Sequence, residues 1–301
     1  MIEQPTFATS PFFLGLSNTD RNAPFVIAGI PLDIGVTNRA GARSGPAAIR
    51  TASRMLAGND HPHHWVSVDA MPIADIGDFA IALGDIPRSL ALIEQQAAPL
   101  NHLLALGGEH GITLALLRAL SKRLRSPLGL VHFDAHADTW DENFGQAYSH
   151  GSVFFHAINE GLVDPRRMIQ IGIRSPLPRA TYDWTVGKGV TILSAQDVHE
   201  IGIAATAERI HAVVGAQEPT YLSFDIDCLD PGCAPGTGTP EIGGLASFQA
   251  QALIRRLGGI DFVGMDLVEV APAYDVSEIT ALAGATMVWE YLALRQANAS
   301  G

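Results

Sequence analysis

Positive charge is scarce in this chain. Lysine and arginine number 19 in 301 residues against 31 aspartates and glutamates, a formal net charge of -12 at pH 7. That balance argues against nucleic-acid binding, because the cations that would track phosphates are few and scattered. Cysteine is scarcer still: Cys228 and Cys233, both in one Gly/Pro-rich segment, are the only two. They make no disulfide framework and read as free thiols in a reducing compartment. No apolar run reaches the roughly 18 residues needed to span a bilayer. The N-terminus, Met1-Ile2-Glu3-Gln4-Pro5, lacks a basic stretch followed by an apolar one, so a cytoplasmic protein without membrane contact is expected.

What the chain has instead is apolar rhythm. Hydrophobic residues make up 47% and charged residues 17%, a globular composition with enough length for a large core. Short apolar runs alternate with helical patterns, as in βαβ units. Strands are predicted over residues 25–30, 103–106, 128–133, 168–173, 190–193, 221–224 and 261–268. Helices are predicted from near Gly45, up to about Leu124, and from about Ser277 to Leu294. Runs this apolar fit strands covered on both faces, hence a parallel sheet. With no repeat, linker or composition break, one domain over 1–301 is expected, with 1–24 as an N-terminal extension.

Against this background two clusters of hard metal ligands stand out: His132-Phe133-Asp134-Ala135-His136-Ala137-Asp138 and Ser223-Phe224-Asp225-Ile226-Asp227-Cys228-Leu229-Asp230-Pro231. Acids and imidazoles directly after apolar runs are costly to bury unless neutralised, and a divalent cation is the natural neutraliser. Asp134, His136 and Asp138 are spaced by two, as are Asp225 and Asp227, so in extended chain each set can share one face. With His110, the six suffice for two cations if some carboxylates bridge. One cation on Asp134, His136 and Asp225, with the other acids around it, is the alternative. Oxygen-rich donors with some imidazole suit Mn²⁺ better than thiolate-preferring metals. His132 and His156 read as ordinary hydrogen-bonded histidines. Glu109-His110, the two clusters and Glu269 all follow predicted strands, the edge at which open α/β sheets bind ligands.

Gly107-Gly108-Glu109-His110, Asp134-Ala135-His136-Ala137-Asp138 and the segment from Ser223 to Pro231 resemble the three metal motifs of the ureohydrolase family, which holds arginases, agmatinases and guanidino-acid hydrolases. The likeness runs from about Ile27 to Leu294. It implies an arginase-like three-layer α/β/α fold around a mostly parallel sheet, and two Mn²⁺ per subunit. One ion would take His110, Asp134, Asp138 and Asp225, the other Asp134, His136, Asp225 and Asp227. The resemblance also implies that His150 shuttles a proton, that Glu269 binds a guanidinium, that Asp138 helps orient the attacking water, and that the chain forms a homotrimer or homohexamer. Glu109-His110-Gly111 departs from the Asp-His-Ser usual in the family.

The substrate is read from the loop between Asp138 and His150. It lacks the Asn- and Ser-rich pattern of arginases, and Asp141 and Glu142 would favour a distal ammonium over a carboxylate. Stretches such as His150-Gly151-Ser152-Val153-Phe154 are similar to those of agmatinases. The expected reaction is therefore hydrolysis of agmatine, a small cationic guanidinium compound, to putrescine and urea. The alternative is a guanidino-acid hydrolase acting on 4-guanidinobutyrate or 3-guanidinopropionate, with Arg174 or Arg179 meeting the carboxylate. A metal-binding scaffold without catalysis has no use for His150 and Glu269.

Overall fold

A computed structural model describes residues 12–300. Within them the apolar rhythm becomes eight strands: β1 (Phe25–Ile30), β2 (Ile73–Asp78), β3 (His102–Gly107), β4 (Leu128–Phe133), β5 (Val163–Ile173), β6 (Thr191–Ser194), β7 (Thr220–Asp225) and β8 (Phe262–Val268). The α-helices are α1 (Gly45–Ser53), α2 (Ile86–Ala97), α3 (Ile112–Leu124), α4 (Val153–Asn159), α5 (Arg179–Gly187), α6 (Ala195–Val214), α7 (Ser247–Ile254) and α8 (Ile279–Ser300). All strand pairings are parallel, in the order β2-β1-β3-β8-β7-β4-β5-β6. Among the described residues no helix is long and apolar enough to cross a membrane.

Alternation along the strands splits the core into two layers. Ile27, Leu104, Val131 and Leu222 point to the face covered by α1, α6, α7 and α8, where they meet Ile49, Ile210, Leu253 and Leu292. Val26, Ala105, Leu130 and Tyr221 point the other way, toward Leu90 and Ile93 of α2, Leu117 of α3 and Phe154 of α4. Covering on both faces is what a parallel sheet of near-continuous apolar strands requires. Residues 1–11 of the expected extension lie outside the described residues, while Phe13 and Leu14 are buried in the core.

β2 was not among the predicted strands. Its sequence, Ile-Ala-Asp-Ile-Gly-Asp, has too little apolar periodicity to register, and its acids instead surround a buried arginine. Arg50 of α1 donates to both Asp75 oxygens, at 2.8 and 2.9 Å, to Asp78 at 2.5 Å and to the Gly77 carbonyl at 3.0 Å. Asp75 also accepts from the Phe13 and Gly77 N–H groups, which ties the N-terminal segment to this edge strand. Because Asp75 is fully buried, truncating Arg50 strands a charge. Arg50→Ala is expected to cost about 3–5 kcal/mol in urea unfolding, the range for half of a buried ion pair. A loss under about 1 kcal/mol would show that the cluster contributes nothing net.

The four central strands, β3, β8, β7 and β4, are consecutive neighbours. Their C-terminal ends deliver Glu109 and His110, Glu269, Asp225 and Asp134 to one stretch of the sheet edge.

Candidate metal centre and substrate cavity

The predicted ligands converge, although not by extended-chain alternation. β4 ends at Phe133, the chain then bends, and Asp138 takes a left-handed backbone conformation with φ 50°. On the other strand a short 3₁₀ turn over Ile226–Cys228 carries Asp227 round beside Asp225. Tight turns pack more donors around one point than a strand can, since strand neighbours on one face are about 7 Å apart. The backbone holds one oxygen of each acid: His136 N–H donates to Asp134 at 2.6 Å, Asp227 N–H to Asp225 at 2.9 Å, and Ala135 N–H to Asp227 at 3.0 Å.

His110 supplies the decisive geometry. Its Nε2 lies 2.8 Å from the Ser223 hydroxyl, which donates its single proton to Asp266 at 2.8 Å. In the neutral ring Nε2 therefore carries the proton, and the Nδ1 lone pair is left for a cation. That nitrogen is buried without a hydrogen bond, yet it stands 3.1 Å from Asp134 Oδ2, 3.0 Å from Asp138 Oδ2 and 3.3 Å from Asp225 Oδ2. Adjacent ligands of an octahedral cation with bonds of about 2.1 Å stand about 3.0 Å apart. His136 repeats the pattern, its Nδ1 lying 3.3 Å from Asp134 Oδ1 and 3.1 Å from Asp227 Oδ2. The donor set thus fits two cations sharing Asp134.

The electrostatics ask for the same thing. Burial, then the Asp227 and Asp134 carboxylates, push Asp225 well above the usual carboxylate range. Burial works against a charged His110, but Asp134, Asp138 and Asp225 outweigh it and hold that imidazole well above the usual histidine range. The cluster requires positive charge, which divalent cations supply in fixed positions. His132 stands against the cluster rather than apart from it: its Nε2 lies 2.8 Å from Asp134 Oδ2, within a group with His110 and Asp134 that could hold a cation, and Gln170 Nε2 lies 3.1 Å from its Nδ1. It orients Asp134. His156 meets the Ala147 carbonyl at 2.7 Å, away from the cluster.

His150 completes the floor, with Glu269 buried beside it. Glu269 has φ 66°, a left-handed conformation costing about 1–3 kcal/mol in a residue other than glycine, typical of functional positions. Its Oε1 accepts from the His110 N–H at 2.7 Å and lies 3.5 Å from His150 Nδ1. The Thr37 N–H donates to His150 Nε2 at 3.2 Å, with the Thr37 hydroxyl 2.8 Å from the same atom. In the neutral ring the proton therefore sits on Nδ1, facing Glu269. Burial lowers the His150 pKa, but Glu269, followed by Asp138 and Glu109, pushes it up to about 9.

The departure at Glu109 and Gly111 is self-consistent. Glu109 Oε2 accepts from the Gly35 N–H at 2.6 Å, anchoring the loop that carries Thr37. Its other oxygen would lie 2.8 Å from a Cβ at position 35 and 3.2 Å from one at 111. The longer acid takes up space that a Cβ at position 35 would press on and one at 111 would crowd.

Above this floor opens a cavity of about 270 Å³, lined by Thr37, Trp140, Asn143, Ser175, Glu241 and the faces of His136, Asp138 and His150. Among the described residues no lysine or arginine lines it. Asp141 and Glu142 are exposed and outside it. Arg174 is committed to backbone carbonyls, among them Asp227 at 2.8 Å and Glu241 at 2.6 Å. Arg179 is exposed and paired with Asp183. Thr37 and Glu241 carried no signal of their own in the sequence, since they come from loops with no ligand spacing.

A model of the arginase family matches residues 23–293. The chain belongs to the arginase family. It is 45% identical to a guanidinopropionase of Pseudomonas aeruginosa over 99% of this chain and 95% of that one. It is also 45% identical to an agmatinase of Edwardsiella ictaluri, over 93% and 90% respectively. Among solved structures, a hypothetical agmatinase from Burkholderia thailandensis superposes with TM-score 0.90 at 41% identity, over 99% of this chain and 94% of that one. The arginase-like fold and the ureohydrolase class anticipated from the three motifs are therefore established.

Proposed function

We propose that the protein hydrolyses the guanidinium group of agmatine, giving putrescine and urea, with two Mn²⁺ ions held by His110, Asp134, Asp138 and Asp225 and by Asp134, His136, Asp225 and Asp227. The observation that carries the reading is the lone pair of His110 Nδ1 among three carboxylate oxygens, beneath a cavity without a lysine or arginine. Bound there, two cations would acidify a water and supply it as hydroxide beside the guanidinium carbon. Homotrimeric or homohexameric assembly and a cytoplasmic setting belong to the same proposal.

The chain's own groups do the rest. Glu269 accepts hydrogen bonds from the forked guanidinium and fixes its plane over the metal cluster. Asp138 accepts a hydrogen bond from the attacking water. As water adds to the guanidinium carbon and the bond to the alkyl nitrogen breaks, that nitrogen must gain a proton, and His150 is placed to deliver it. A cation seated on Glu269 offsets the largest upward pull on His150, bringing the imidazole back toward neutrality, where it both accepts and donates. Substrate and diamine product each carry two positive charges at neutral pH, so no net proton is exchanged.

The likeness to a guanidinopropionase favours a second reading, hydrolysis of a guanidino acid such as 4-guanidinobutyrate or 3-guanidinopropionate. Urea release by the Mn²⁺-loaded protein from agmatine, those two acids and arginine decides between them. Agmatine is expected to have the highest kcat/KM by at least about tenfold, a difference of about 1.4 kcal/mol. Preference for a guanidino acid replaces agmatine with the second reading, and silence on all four removes both.

A further inference from the structure

We infer that Glu241 selects the far end of the substrate: its carboxylate receives the distal ammonium of a linear guanidino-amine and disfavours guanidino acids of equal length. The inference rests on the guanidinium-hydrolase reading above and adds the residue that reads the tail. In the cavity, Asp138, His136 and His150 belong to the reacting end, and Glu241 is the remaining charged group among the described residues. The loop acids Asp141 and Glu142, which looked like natural tail partners in the sequence, do not line it.

Glu241 is held from behind and open in front. Arg174 donates to its carbonyl at 2.6 and 3.2 Å and to the Asp227 carbonyl at 2.8 Å, tying its backbone to that of a cluster acid. Two residues earlier, the Thr239 hydroxyl donates to Asp227 at 3.3 Å, and Asn38 donates to the Gly238 carbonyl at 3.1 Å. The carboxylate itself has a single hydrogen bond, accepted by Oε1 from the Ser175 hydroxyl at 2.8 Å. Oε2 has no hydrogen-bond partner among the described residues, and the side chain is 33% exposed. His136 Nε2 is 3.9 Å from Oε1, at the outer edge of ion-pair distance and beyond hydrogen-bond range. An anion on a fixed backbone, half out of water and with one oxygen free, is preorganised for a cation entering from solvent. It repels a carboxylate in the same place. Arg174, the candidate partner for a guanidino acid's carboxylate, instead braces this loop.

The test compares wild type, Glu241→Gln and Glu241→Lys, all Mn²⁺-loaded, on agmatine, 4-guanidinobutyrate and the uncharged-tail analogue butylguanidine. In Glu241→Gln, the kcat/KM ratio of agmatine to each of the other two is expected to fall about tenfold, chiefly through KM. Glu241→Lys is expected to lower the agmatine to 4-guanidinobutyrate ratio further. Equal losses on all three substrates would overturn the inference and make Glu241 a support for His136, and unchanged ratios would overturn it as well. If wild type prefers 4-guanidinobutyrate but Glu241→Gln still lowers the agmatine ratios, the agmatine reading falls and tail selection by Glu241 stands. If wild type prefers agmatine and the ratios do not move, the reverse holds.

Discussion

Asp225→Ala is expected to leave a folded protein that releases almost no urea, with kcat/KM down by about a thousandfold or more. That exceeds the ~10–100-fold loss typical of residues that only orient a metal ligand. Asp225 stands at the end of β7 and closes the ring of three carboxylates around His110 Nδ1, at 3.3 Å. In the proposed site it would serve both cations, so its loss would affect both positions. Metal content measured after dialysis against limiting Mn²⁺ should fall below the two per subunit expected of wild type. Asp225→Asn separates charge from shape: the amide keeps an oxygen for the Asp227 N–H but removes the negative charge. Should the alanine variant keep two Mn²⁺ and near-normal turnover, Asp225 is not a bridge and the two-ion assignment fails. His132→Ala, by contrast, removes only a group that orients Asp134.

Much of this was legible in the sequence because strand ends advertise themselves. An apolar run stopping at Phe133 and continuing as Asp134-Ala135-His136, or stopping at Phe224 and continuing as Asp225-Ile226-Asp227, has few structural explanations other than a cation. The sheet order placed all four sites side by side through β3, β8, β7 and β4, which no local pattern encodes. The route of convergence was also hidden: spacing by two suggested extended chain, whereas a left-handed Asp138 and a 3₁₀ turn at Asp227 achieve it. Either geometry gives the same spacing, so the convergence of the candidate ligands could be expected while the way the chain brings them together could not. The cavity wall was least legible. Glu241 and Thr37 come from loops whose positions depend on long-range hydrogen bonds, such as Arg174 to the Glu241 carbonyl and Glu109 to the Gly35 N–H. Acids in the obvious loop, Asp141 and Glu142, do not line the cavity for the same reason: sequence proximity to Asp138 does not fix position once the chain turns.

Glu269→Gln tests the other half of the site, the half that holds substrate rather than metal. The amide oxygen still accepts from the His110 N–H, which Glu269 Oε1 does at 2.7 Å, so the backbone around the cluster should keep its shape. What disappears is the charge opposite the guanidinium. Loss of one partner of a desolvated, hydrogen-bonded ion pair costs about 2–5 kcal/mol, so kcat/KM for agmatine is expected to fall by roughly 30- to 4,000-fold. Metal content should remain that of wild type. The division between kcat and KM carries further information: a pure KM effect means that Glu269 binds ground state and transition state equally, whereas a kcat loss means it aligns the reacting carbon. The left-handed backbone at φ 66° favours alignment, because strain held in place by its surroundings typically serves geometry. Wild-type kinetics with intact metals would remove Glu269 from the substrate site and leave its buried carboxylate as a support for His110. A loss of metal together with activity would instead join it to the cluster.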